Sequence, residues 1–244
     1  RFFDSDKVIY HVHGGGFTFG SPWSHKALAS RMASETGTPV FLPDYRLAPE
    51  HPFPAAIEDT IAGFRWLLDS GFPAESIVVS GDSAGGNLAL QLIAHLAEAG
   101  ETMPAGVVLM SPWVDLDFSD MSARDKAKKD PFLALGMAEL CRVQYAPDTG
   151  DDDPRISPIN YTPSADWPPF LIQCGGAENF AGGIAKLAEK FAEHGVTHEF
   201  QLWPDQFHVF QVFHPLVPEA KVAVRDIGSF VRGCLRNPSK SATP

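Results

Sequence analysis

The amino-acid sequence predicts an α/β protein with a mostly parallel central sheet flanked by helices. Two observations lead to this fold class. Short apolar runs alternate along the whole chain with segments whose apolar residues recur at helical spacing, which is typical of a parallel sheet covered on both faces. The 244 residues, 44% of them hydrophobic, provide enough apolar material for one large α/β unit, and no repeat or linker divides them.

Each element has its own local signal. Apolar runs predict six strands, at residues 7–12, 39–43, 77–80, 105–111, 170–174 and 199–203. Apolar residues at helical spacing predict helices at 24–35, 55–70, 87–99, 184–194 and 218–235, the first with Ser24 as its N-cap. Between them, residues 117–153 are polar and irregular, with a weak helical pattern around 132–143. We expect this region to form part of a substrate-site wall.

Two charged groups lie within that irregular region. The basic residues are expected to form a solvated helix face: Arg124, Lys126, Lys128 and Lys129. The acidic run 151–153 lacks the alternating spacing and closing Glu of a calcium loop, so an exposed turn is expected there. The sequence therefore predicts no metal site in this region.

Ser83 is the strongest candidate for a reactive residue. It lies at the centre of Gly81-Asp82-Ser83-Ala84-Gly85, between a predicted strand and a predicted helix. In that context the pattern G-x-S-x-G places the serine on a sharp, strained turn with its hydroxyl exposed. Gly81 and Gly85 allow the strand and the helix to pass close to it. The pentapeptide alone also fits an ordinary Gly- and Ser-containing turn.

Three other strand ends carry suggestive residues. They are the glycine loop 13–16, Glu178 and His208. Because ligands bind beyond the carboxyl ends of the strands in open α/β sheets, these residues and Ser83 are expected at one edge of the sheet. There His208 could take the Ser83 proton while Glu178 orients the imidazole. Backbone N–H groups would form the oxyanion hole, those of Gly15, Gly16 and Ala84.

Some of these assignments have local rivals. Asp205 could replace Glu178 as the acid, but it lies only three residues before His208. His198 begins a predicted strand, at the wrong end of the sheet, and His214 follows an apolar segment that we expect to pack. Glu178 and His208 are therefore favoured.

Taken together, the motifs resemble the hormone-sensitive-lipase-like family of α/β-hydrolase esterases, the bacterial family IV with a GDSAG elbow. The matching segments are 13–17 (HGGGF), 44–50 (DYRLAPE), 81–87 (GDSAGGN), 111–113 (SPW) and 207–208 (FH). The resemblance implies an α/β-hydrolase fold, with residues 1–244 as a single catalytic domain. It also implies a serine carboxylesterase that hydrolyses short- to medium-chain acyl esters through an acyl-enzyme, with no metal or cofactor.

The chain departs from the family pattern in two places. The family usually has a helical N-terminal cap and two strands before the HGGG motif, which starts here at residue 13. The cap and the first strands are therefore expected to be absent from this chain. The acid segment also differs, since Glu178-Asn179-Phe180 stands where the family commonly has an Asp-Pro-Leu-like segment.

Four aromatic residues are candidates for the substrate pocket, and two other functions fit the same sequence. Aromatic side chains could line an apolar pocket or could equally belong to the core: Phe17, Trp23, Trp203 and Phe207. An amidase or deacetylase on the same scaffold would use the same residues. A non-catalytic small-molecule binder is the alternative from another class.

Composition limits the possible partners. The net charge of −11 argues against nucleic acid, and no apolar run approaches the ~20 residues of a membrane span, so stable membrane insertion is not expected. Three cysteines without a CxxC pair argue against a disulfide framework or metal site and favour a cytoplasmic protein. A homodimer is possible.

Overall fold

Six parallel strands form the centre of the structure, a computed structural model that describes residues 5–127 and 130–236. They are β1 (Val8–Val12), β2 (Val40–Phe41), β3 (Ile77–Asp82), β4 (Gly106–Met110), β5 (Phe170–Gly175) and β6 (His198–Trp203). Their order across the sheet is β2-β1-β3-β4-β5-β6, and every neighbouring pair is parallel. The predicted α/β fold with a parallel sheet is confirmed.

Helices cover both faces of this sheet. They are α1 (Pro22–Thr36), α2 (Ala55–Asp69), α3 (Ala84–Ala99), α4 (Ser119–Ala127), α5 (Leu135–Tyr145), α6 (Ala181–Glu193) and α7 (Pro218–Arg236). No helix in the described part of the chain combines the length and apolar character needed to cross a bilayer.

Alternation along the strands divides the core into two layers. In β1, Ile9 packs with residues of α1 and α7, whereas Val8 and Tyr10 pack with residues of α2 and α3. Because successive strand residues point to opposite faces, a strand covered on both sides must be apolar at nearly every position. Of the strands buried at every position, β4 meets this requirement throughout, whereas β1, β3 and β5 also hold polar residues. Each of these buried polar side chains has a polar partner: His11, Ser80, Asp82 and Gln173. The outer strand β6 is only partly buried.

The start of α1 differs from the prediction. The N-cap is Ser21 rather than Ser24, and the Ser21 hydroxyl accepts the N–H of Ser24 at 3.3 Å. Pro22 fits the first helical position because its φ is already helical and its missing N–H would have had no intrahelical partner. Ser24 completes a reciprocal capping box by accepting the N–H of Ser21 at 3.0 Å.

The irregular region contains more structure than predicted. It holds α4, which includes Arg124 of the expected basic helix face and begins at Ser119, as well as α5, which agrees with the weak helical pattern. Arg124 is half-buried instead of solvated, because its guanidinium donates to the carbonyl groups of Gly176 and Glu178. Of the other predicted basic residues, Lys128, Lys129 and the side chain of Lys126 lie outside the described part.

Candidate active site

The turn between β3 and α3 holds Ser83 in a strained backbone conformation. Its φ is 52° and its ψ is −121°, in a region that L-residues rarely adopt. A methyl group at Gly81 would overlap the carbonyl of Gly85, and one at Gly85 would overlap the carbonyl oxygen of Val12 in β1. The two glycines therefore allow the strand, the turn and the helix to approach each other closely, as the sequence predicts for this motif.

Ser83 and His208 are in direct contact. Nε2 of His208 lies 2.9 Å from Oγ of Ser83, within hydrogen-bond range. Both residues are buried, and the ring of Phe180 packs edge-on against the imidazole at 4.9 Å between centroids. This geometry allows proton transfer between the hydroxyl and the imidazole.

Glu178 is the carboxylate that faces the other side of the imidazole. Its Oε2 lies 3.9 Å from Nδ1 of His208, which is longer than a hydrogen bond. Within the described residues Nδ1 has no hydrogen-bond partner. Such contacts are often long without a bound substrate and shorten in the complex. Asp205, the rival acid, is exposed.

The rival histidines lie elsewhere. His198 is the first residue of β6, so it lies at the edge of the sheet opposite to the carboxyl ends. His214 follows the short 3₁₀ turn Phe210–Phe213. Of the three candidates, only His208 is hydrogen-bonded to Ser83 in the described structure.

Ser111 is a site residue that the sequence analysis missed. Its hydroxyl donates to Oε2 of Glu178 at 2.6 Å and accepts the N–H of Val209 at 3.1 Å. It therefore connects the acid to the loop that carries His208. Its position directly after β4, in the segment 111–113, was the available signal, since Ser83, Glu178 and His208 also follow strands.

The glycine loop after β1 leaves no room for side chains at Gly15 and Gly16. Gly15 has a φ of 124° and Gly16 a φ of 58°, and a Cβ at Gly16 would lie 2.6 Å from Sγ of Cys141. Neither N–H donates to an acceptor in residues 5–127 or 130–236. Ala84 is the first residue of α3, so its N–H also has no intrahelical partner. These three N–H groups are free to bind an anionic oxygen.

A buried carboxylate fixes the start of this loop. Oδ1 of Asp82 accepts the N–H of Gly14 at 3.1 Å and lies 3.3 Å from Nε2 of His11, while Oδ2 lies 3.3 Å from Nε2 of His25. Burial alone would raise the pKa of Asp82, but its interactions with His25 and His11 outweigh burial and hold that pKa well below its ordinary range. Asp82 therefore remains charged and connects the Ser83 turn to the glycine loop.

Two histidines of this cluster have opposite pKa shifts. Burial lowers the pKa of His13 to about 4, so it is neutral at pH 7. Its Nδ1 donates to the carbonyl of Gly14 at 2.8 Å, so the imidazole braces the glycine loop. Burial also opposes protonation of His25, but the Asp82 charge prevails and raises the pKa of His25.

The structure separates the four predicted pocket residues. Phe17 is fully buried in the core, not in an open pocket, because its ring stacks on Tyr145 at 3.7 Å between centroids. Trp23 is 74% exposed, with the Lys26 ammonium 4.3 Å from its ring centroid. Phe17 therefore belongs to the core, and Trp23 faces solvent.

The other two aromatic residues lie near the His208 loop. Trp203 packs on Phe210, at 5.5 Å between ring centroids, in a small cluster beneath α7. Phe207 precedes His208 and packs against Phe132 and Phe213, with centroid distances of 5.9 and 5.2 Å. The rings of Phe132, Phe207 and Phe213 form a half-exposed group, which we call the aromatic wall.

Comparison with known proteins places this site in a family. A family model described as an alpha/beta hydrolase fold matches residues 9–212. An esterase from Acinetobacter venetianus is 38% identical over 225 residues, which cover 92% of this chain and 74% of that protein. An acetyl-hydrolase from Streptomyces hygroscopicus is 35% identical over 228 residues, covering 93% of this chain and 75% of that protein.

A solved structure gives the same result. The crystal structure of an esterase from the bacterial hormone-sensitive lipase family superimposes with a TM-score of 0.89 at 35% identity, covering 94% of this chain and 77% of that one. The chain belongs to the α/β-hydrolase family. Within that family it is a carboxylic-ester hydrolase of the hormone-sensitive-lipase-like group, which confirms the resemblance seen in its motifs.

Proposed function

We propose that this protein hydrolyses short- to medium-chain acyl esters through an acyl-enzyme on Ser83. The 2.9 Å contact between Ser83 Oγ and His208 Nε2, on a strained turn at the sheet edge, is the observation that carries the proposal. Serine is a weak nucleophile at its free pKa and needs an adjacent base. His208 supplies that base, and Glu178 stabilises the imidazolium that forms.

The reaction then proceeds in two halves. Ser83 Oγ attacks the ester carbonyl as its proton passes to His208, and the N–H groups of Gly15, Gly16 and Ala84 bind the oxyanion. When the tetrahedral intermediate collapses, the ester C–O bond breaks and His208 protonates the departing alcohol. Water, deprotonated by His208, attacks the acyl-enzyme and releases the acid and free Ser83. One lost oxyanion donor costs roughly 3 kcal/mol of transition-state stabilisation in comparable sites.

The aromatic wall supports an acyl group with an alkyl chain. Its member Phe207 directly precedes His208, and the half-exposed rings form an apolar surface that suits such a chain. One relative carries the name acetyl-hydrolase, which is consistent with a short acyl group.

The experiment that tests the proposal is a series of p-nitrophenyl esters from acetyl to dodecanoyl. We expect a burst of p-nitrophenol, the highest kcat/KM with short and medium chains, and covalent labelling of Ser83 by an organophosphate. Ser83→Ala should lose both the burst and the label, whereas Ser229→Ala, an exposed residue of α7, should keep both. Intact hydrolysis in Ser83→Ala would contradict the assignment of Ser83 as the nucleophile. Faster turnover of matched amides would contradict esters as the substrate class.

Three broader features belong to the same proposal. We infer that residues 1–244 form a single catalytic domain that works in the cytoplasm, and Cys141, Cys174 and Cys234 support this location because all three are free thiols. We also infer a homodimer, supported by the outer strand β6, where Leu202 is 53% exposed. Light scattering coupled to gel filtration tests the dimer, and cell fractionation tests the location.

A further inference from the structure

Asp130 lies between α4 and α5 and contacts the loop that carries Glu178. This carboxylate is buried, and its Oδ2 accepts the N–H of Asn179 at 3.0 Å. Its Oδ1 accepts the N–H groups of Phe132 and Leu133 at 2.8 and 3.0 Å. The Asp130 side chain therefore holds Asn179 through one oxygen and Phe132 and Leu133 through the other.

Further contacts join the same two segments. The side-chain amide of Asn179 donates to the carbonyl of Leu133 at 3.0 Å. Arg124 of α4 donates from Nη2 to the carbonyl of Gly176 at 3.0 Å and from Nε to that of Glu178 at 3.2 Å. The acid loop 176–179 is thus attached to residues 124–133 at both of its ends.

The attached segment also contributes Phe132 to the aromatic wall, which includes the residue before His208. Phe132 is 56% exposed, and its ring lies 5.9 Å from that of Phe207 and 5.6 Å from that of Phe213. Asp130 fixes the backbone of Phe132 through one oxygen and that of Asn179 through the other. A displacement of either segment would therefore be transmitted to the other.

We propose that Asp130 is a positioning residue that holds the Glu178 carboxylate against His208 and, with the same side chain, places Phe132 at the substrate. This inference rests on the proposed function. The acid loop needs such support because Glu178 Oε2 lies 3.9 Å from Nδ1 of His208, and only a closer approach makes the hydrogen bond. A misplacement of about 1 Å near a reacting group can cost 10²-fold in rate.

Asp130→Asn is the variant that tests this role. Asp130 accepts three N–H groups through two oxygens, whereas an asparagine of the same shape has one oxygen and one amino group. The amino group must face the N–H of Asn179 or those of Phe132 and Leu133, so donor faces donor on one side. One of the two attachments is then lost.

Asp117→Asn is the matched control. Asp117 is exposed and caps the start of α4, accepting the N–H of Ser119 at 2.9 Å and its hydroxyl at 3.1 Å. An asparagine can keep both contacts, because the serine hydroxyl can accept a hydrogen bond as well as donate one. It carries the same change of charge in the same region without contacting the acid loop.

Activity must be expressed per active site, titrated with an organophosphate on the full chain. We expect Asp130→Asn to lower kcat about 10- to 100-fold and to raise KM for medium-chain esters more than for acetyl esters. In the pH profile of kcat/KM, the fall in activity on the acidic side, which we call the acid limb, should move to lower pH. The reason is that a displaced Glu178 stabilises the His208 imidazolium less. The other ionisable groups that contact Glu178 or the acid loop in the described structure are Cys174, Arg124 and Asp125, and this substitution alters none of them. Asp117→Asn should match the wild type.

A second variant covers the case in which Asp130→Asn fails to fold. Arg124→Lys keeps the positive charge but loses the planar fork that donates to the carbonyls of Gly176 and Glu178, so it should shift the acid limb in the same direction by a smaller amount. An unchanged acid limb and unchanged kcat per site, in whichever variant folds, overturn the inference while leaving the esterase intact. A wild type that neither hydrolyses esters nor labels at Ser83 overturns the proposed function instead.

Discussion

At the scale of single residues, Ser111 connects three loops of the site. Its N–H donates to the carbonyl of Gln173 at 2.8 Å, and its hydroxyl contacts both Glu178 and the N–H of Val209. Its φ of 47° is unusual for a residue other than glycine and stores strain of order 1–3 kcal/mol. A buried residue held in such a conformation needs compensating contacts, and the two hydroxyl bonds provide them.

Ser111→Ala should therefore affect both stability and turnover. The buried carboxylate of Glu178 loses a donor and the N–H of Val209 loses its acceptor, which we expect to reduce the free energy of unfolding by about 1–3 kcal/mol. The same loss frees Glu178 to move, so kcat should fall more than KM changes. Urea titration and ester hydrolysis measure the two effects. A variant with wild-type kcat would mean that Glu178 is positioned without Ser111.

At the scale of elements, the contact between β1 and the start of α3 determines how closely the glycine loop approaches Ser83. Gly85 lies against the carbonyl groups of Val12 and His13, with no room for a side chain. These carbonyls belong to rigid backbone at the end of a buried strand, so they cannot move aside as a flexible side chain could. The turn and the glycine loop are consequently packed as one unit.

Gly85→Ala and Gly233→Ala form a matched pair that tests this packing. At Gly85 the added methyl group meets backbone, so we expect a loss of more than about 3 kcal/mol of stability, or failure to fold. At Gly233 in α7 the methyl group would meet open space, so alanine should stabilise the helix by about 0.5–1 kcal/mol. Thermal unfolding compares them, and equal effects at the two positions would contradict the packing argument.

At the scale of the whole molecule, the cluster around Asp82 joins three elements. His11 belongs to β1, Asp82 to β3 and His25 to α1. Because Asp82 has a lowered pKa, its contribution to stability is present above its unfolded pKa of about 3.9 and is lost only in strong acid. Because His25 has a raised pKa, its contribution is complete below about pH 6.5 and is lost as the pH rises through the folded value.

His25→Gln should therefore destabilise the protein more in mild acid than in alkali. The difference in Tm between wild type and variant should be larger at about pH 6 than at about pH 9, since only the protonated wild-type imidazole pairs with Asp82. Each kcal/mol of that pairing corresponds to about 2–4 °C in a protein of this size. His51→Gln, at an exposed loop position, is the control and should show no such trend. A Tm difference independent of pH would show that the pair does not carry the effect.

The sequence predicted the strands well because their signal is local. Buried β-branched runs such as 77–80 need only their own composition to be recognised. The N-cap of α1 was misassigned by three residues, since Ser21 and Ser24 both fit a cap and only the complete capping box distinguishes them. The helix face expected around Arg124 was wrong in its solvation, because Arg124 is held by carbonyl groups of a loop distant in sequence.

What the sequence by itself determined is the α/β fold, the family and the placement of Ser83, Glu178 and His208 at strand ends. A parallel sheet brings all carboxyl ends to one edge, so the shared direction of the strands places those residues at that edge. Only the tertiary structure decided which other side chains belong to the site. Ser111, Asp82 and Asp130 act through contacts between segments far apart in sequence, and Phe17 is buried by Tyr145, 128 positions later along the chain. Such contacts depend on how closely the elements pack, and periodicity within one element carries no information about that distance.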